Sequence, residues 1–69
     1  MALLVGGPLS GQHRDMPEDE IFTRVPLPSG RFAPYALARV TKDGEQHEVW
    51  GWGPWCYRKV KMVFLAMED

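Results

Sequence analysis

Hydrophobic and polar positions are ordered most clearly from Tyr35 to Trp52, where two strand-like runs flank Asp43-Gly44. That dipeptide is a strong hairpin signal, because both central positions of a type I′ turn take positive φ. Pairing Lys42 with Glu45 across the turn sets Arg39 opposite Glu48, Leu37 opposite Trp50 and Tyr35 opposite Trp52. Opposite charges then meet, and aromatic rings meet apolar groups. The other face carries Ala36, Ala38 and Val40 against Gly51, Val49 and His47, a surface small enough for another layer to approach closely.

The pattern elsewhere is shorter. Met1 to Val5 predicts a buried strand, ended by Gly6-Gly7-Pro8, and Gln12 to Met16 a weakly apolar second strand that stops at Pro17. Pro17-Glu18-Asp19-Glu20 suits an acidic turn or the first turn of a helix. Ile21 to Val25 is β-branched and aromatic and predicts a strand; Pro26, Pro28 and Pro34 then predict an extended loop without regular structure. Tyr57 to Ala66 fits two periods. Val60, Met62, Phe64 and Ala66 alternate with Lys59, Lys61, Val63 and Leu65, which favours a last strand, while Val60, Val63, Phe64 and Met67 match a helix. The strand is the preferred reading, with a frayed or helical end at Met67 to Asp69. The expected fold is all-β: one domain over residues 1–69, a small curled antiparallel sheet or open barrel of five to six short strands with a short helical C-terminal end.

Composition narrows the function. Sixty-nine residues lie near the size at which one core stands alone, so each aromatic matters. A net charge of -1 removes the global attraction on which non-specific nucleic-acid binders rely. One cysteine excludes an internal disulfide framework and points to a reducing compartment. The apolar opening stops at Val5, too short for a signal peptide or a membrane span. The expectation is a complete, cytoplasmic small gene product with no membrane association.

Three stretches invite chemistry. Gly6-Gly7-Pro8-Leu9-Ser10-Gly11 suggests a phosphate loop, but lacks the Gly-Lys-Ser/Thr ending and loses a donor at Pro8, which favours a plain turn. The hexapeptide resembles the opening of small phage and prophage proteins that begin with a short strand and a Gly-Gly-Pro-Leu-Asp-Gly type turn. Ser10 stands here in place of the aspartate. That resemblance implies phage origin and a compact β-rich domain, not a reaction.

Trp50, Trp52 and Trp55 lie within six positions and are spaced by Gly51 and Gly53-Pro54. They read either as core or as an aromatic platform able to stack a base, a sugar or a proline-rich peptide. Tyr57, Arg58, Lys59 and Lys61 follow directly and would set cations beside those rings, or form a solvated edge. Trp55, after the Gly53-Pro54 turn and beside Arg58, is the best candidate for an exposed recognition residue. Cys56 with His47 or His13 has neither the pairing of a nucleophile and base nor the spacing of a metal site. No cofactor, metal or catalytic role is therefore expected.

The expected function is binding without turnover, through Trp50, Trp52, Trp55, Tyr57, Arg58, Lys59 and Lys61. The first expectation is a phage-encoded accessory protein that occupies a host partner, as an inhibitor of host defence does. Sequestration of a nucleotide-like small molecule between the aromatic and basic residues, at a homo-oligomer interface or within one chain, is the alternative. A virion structural role, in head decoration or completion, is the second alternative.

Overall fold

In the computed structural model, which describes residues 1–67, five strands build one curled sheet, a half-barrel, and a single helix closes one of its faces. The strands are β1 (Ala2–Val5), β2 (His13–Arg14), β3 (Phe22–Pro26), β4 (Phe32–Lys42) and β5 (Glu45–Trp52); the helix is α1 (Tyr57–Ala66). The order across the sheet is β2-β1-β5-β4-β3. The all-β expectation holds with five strands, although β1 lies parallel to β5, so the sheet is mixed.

The central hairpin has the register that its charges dictate: Lys42 faces Glu45, Arg39 faces Glu48, Leu37 faces Trp50 and Tyr35 faces Trp52. Asp43 (φ 53) and Gly44 (φ 81) supply the two positive-φ positions of the turn. Trp50 and Leu37 enter one cluster with Leu4, Leu9, Val25, Ala33 and Tyr35. The opposite face sets Val5, Val40 and Val49 against Val60 and Phe64 of α1. Met16 packs against the first cluster, so the link from β2 to β3 crosses the face opposite the helix.

Two expectations change. Tyr57 to Ala66 is a helix, not a strand. Its buried residues are Val60 and Phe64, four apart, while Met62 and Ala66 of the alternating set are exposed. A helix wins because the face made by Gly51, Ala36 and Ala38 is flat enough to receive one. The backbone is extended again at Met67 (φ -75, ψ 138); the helical end expected at Met67 to Asp69 therefore does not form at Met67, and 68–69 lie outside the described residues.

The other change concerns the prolines. The irregular loop expected up to Pro34 is only the turn between β3 and β4, and Pro26 and Pro34 both belong to strands. The carbonyl of Pro34 accepts the Gly53 N–H at 2.9 Å, so its backbone faces β5 one residue beyond that strand's end. No ladder donor is needed there, and Pro26 ends an edge strand. The acidic stretch Pro17–Glu20 is a turn, not the start of a helix.

Candidate functional site

The Gly6 to Gly11 loop and the tryptophan stretch are one construction. Tyr35 is fully buried, and its hydroxyl donates to the Gly6 carbonyl at 2.8 Å and accepts the Leu9 N–H at 3.1 Å. Burial raises its pKa above the usual phenol value, and the Leu9 N–H pulls the other way. The Tyr35 ring meets Trp52 edge-on at 5.6 Å. Ser10 Oγ accepts the Gly6 N–H at 2.9 Å, so the hydroxyl caps the turn where the resembling pattern has a carboxylate. The Ser10 and Gly11 N–H groups bond to the Gly7 and Leu4 carbonyls. With the N–H groups of Gly6, Leu9, Ser10 and Gly11 all spent internally, this loop is not an anion cradle.

The two glycines are required by what lies against them. A Cβ on Gly6 would come within 2.4 Å of the Trp55 ring, and one on Gly7 within 2.4 Å of Trp52. Both also have positive φ, at 82° and 70°. The loop thus passes against both rings, and much of what the sequence offers as an aromatic platform is occupied by the chain itself.

Trp50 is only 3 % exposed and is core, so it is not available to a partner. Trp52 is half-buried against the Tyr35 cluster. Trp55, expected as the exposed recognition residue, is half-buried against the helix-side cluster, with Lys59 Nζ 4.7 Å from its ring centre. The hollow near these rings, lined by Ala36, Ala38, Gly51, Trp55, Tyr57 and Val60 among others, has a volume of about 120 Å³. Small-molecule sites are typically about 300–1,000 Å³, so this hollow is too small for a nucleotide.

The remaining sequence candidates come together on α1. Tyr57, Arg58, Lys59 and Lys61 are all exposed. Tyr57 is held by its hydroxyl, which donates to the Arg39 carbonyl at 2.8 Å. Arg58, Lys61, Met62 and Leu65 follow at three- and four-residue spacing and form one outward stripe. The helix brings Arg58 beside Lys61, three residues on. Met62 and Leu65, exposed apolar residues on this stripe, were missed in the sequence because the alternating strand pattern sets them on opposite sides.

The stripe is also electrostatically one-sided. The helix has three cations and no acidic residue, and no side chain caps its N-terminus. Exposed cations near that end oppose the helix dipole by about 0.3–1 kcal/mol each. No contact among the described residues offsets this for Arg58, whereas Lys59 gains the Trp55 ring.

A groove of about 440 Å³ lies on the other face between Met16–Glu18 and the Arg39–Glu48 pair. That pair is an exposed salt bridge of 3.0 Å and closes the hairpin. Cys56 is exposed, and no grouping of three metal-ligating side chains occurs among the described residues. No described helix is long and apolar enough to cross a membrane. Compared with protein-family models, curated proteins and solved structures, the chain matches none.

Proposed function

We propose that this protein acts by binding without turnover, and that it engages an acidic partner protein through the outer face of α1. One observation supports this most: Tyr57, Met62 and Leu65 are exposed on a helix whose only charges are Arg58, Lys59 and Lys61. Exposed apolar side chains interleaved with like-signed cations suit a surface that is apolar at its centre and negative at its rim. A protein partner fits better than a lipid surface, because a ten-residue helix offers too little apolar area for stable membrane binding.

The setting we propose is the one implied by the resemblance of the opening hexapeptide: a phage-encoded accessory protein that occupies a host defence factor in the host cytoplasm. Action by occupancy needs no catalytic group, and a small sheet carrying one recognition helix is sufficient for it.

Capture from host-cell lysate on the immobilised chain tests this reading when wild type is compared with Arg58→Glu/Lys61→Glu. The expected result is one dominant acidic protein, retained at least tenfold less by the double variant and released by salt, because rim charges are screened. Capture that ignores both substitutions would refute the proposal, as would binding to anionic vesicles in place of protein.

A further inference from the structure

A second surface lies along an edge of the sheet. The sheet has two edges, β2 and β3. β2 is two residues long and offers almost no template, whereas β3 is five residues long. Ile21 and Phe22 at its start are 77 % and 52 % exposed.

The backbone of β3 shows which groups are presented. The Ile21 carbonyl accepts the Leu37 N–H, and the Leu27 N–H donates to Arg31, so residues 21, 23, 25 and 27 turn their backbone toward β4. Phe22, Arg24 and Pro26 therefore turn theirs to the open edge, where Phe22 and Arg24 each offer a donor and an acceptor.

We infer that β3 pairs with β3 of a second copy, antiparallel about Thr23, joining the two sheets into one. In this register Phe22 faces Arg24 of the second copy and Arg24 faces its Phe22. Each pair exchanges two N–H···O=C bonds, and each sets a guanidinium against a ring. The alternatives are worse. With Arg24 opposite itself, like charges meet and Phe22 faces Pro26, which has no donor. With Phe22 opposite itself, Arg24 needs the backbone of Glu20, which precedes the strand and the bend at Ile21. The favoured register also sets Ile21 beside Val25 of the second copy. The self-complementarity of Phe22 and Arg24 is what identifies the occupant as another copy of this chain.

Sedimentation velocity from about 1 μM to about 1 mM, a span that covers weak association, is expected to show a dimer growing with concentration. Phe22→Lys opposes Arg24 of the other copy with a like charge. Arg24→Pro removes an outward donor without touching the bonds to β4. Each is expected to abolish the dimer while circular dichroism stays unchanged. Register is read separately: Thr23→Cys in a Cys56→Ser background brings two thiols to a non-hydrogen-bonded pair about 4.5 Å apart at Cα, and oxidation should give a covalent dimer. A chain that stays monomeric throughout, a dimer indifferent to both edge variants, or no cross-link at position 23 would overturn the inference. Lysate capture by α1 is unaffected by any of these outcomes.

Discussion

Gly51→Ala would measure how closely α1 rests on the sheet. An ideal Cβ at Gly51 falls 2.4 and 2.7 Å from the two terminal methyls of Val60. Carbon contacts are optimal at about 3.5–4.0 Å, so α1 would have to retreat by about 1 Å or Val60 leave its rotamer. Overpacking of this kind costs about 1–3 kcal/mol, a large share of the roughly 3–5 kcal/mol that a core of this size supplies. Val60→Ala alone removes two buried methyls, at about 1.5–3 kcal/mol. Together the changes should cost less than their sum, because the nearest surviving Val60 atom, Cβ, is 3.1 Å from the new methyl and must give only a few tenths of an ångström. Urea unfolding followed by tryptophan fluorescence yields all four free energies, with Trp50 as the buried reporter. Strict additivity, or a Gly51→Ala variant as stable as wild type, would show that α1 does not rest on Gly51.

Three further outcomes are expected. Tyr35→Phe leaves the Gly6 carbonyl and the Leu9 N–H without their partner and should cost about 1–3 kcal/mol in urea unfolding. The Tyr35 pKa is higher folded than unfolded, so its contribution is complete below about pH 10 and is lost as pH rises further; denaturant midpoints should fall there in wild type, and less in Tyr35→Phe. Ser10→Ala should cost about 0.5–2 kcal/mol by removing the acceptor of the Gly6 N–H, whereas Ser10→Asp should restore it, both read by thermal unfolding. Trp55→Ala, the substitution that an exposed recognition residue would tolerate, should instead destabilise by about 2 kcal/mol or more, since the ring packs on Gly6 and the helix-side cluster; unchanged stability would return Trp55 to the recognition surface.

The hairpin from Tyr35 to Trp52 was legible because its information is local. A two-residue turn sets the register, and Arg39 with Glu48 confirms it. The same reading noticed that Ala36, Ala38 and Gly51 leave room for a close layer, but not that the layer would be residues 57–66, whose apolar positions satisfy both periods. Helix and strand differ there in whether Met62 and Ala66 or Val63 and Met67 turn inward, and that is decided by the surface beneath. The parallel pairing of β1 with β5 and the anchoring of the Gly6 loop by Tyr35 join residues 26 to 46 positions apart, beyond any local pattern. Trp55 was misjudged for the same reason, because the Gly6 backbone that covers it comes from the other end of the chain. Of the candidate site, the basic residues were found in the sequence; their union with Met62 and Leu65 required the helix.

Cross-linking mass spectrometry on the complex captured from host lysate addresses the recognition face most directly. Cross-links and protected positions should concentrate on Tyr57, Arg58, Lys61, Met62 and Leu65, opposite an acidic segment of the captured protein. Contacts gathered instead in the groove beside Met16–Glu18, with α1 left accessible, would contradict the assignment of α1 as the binding surface.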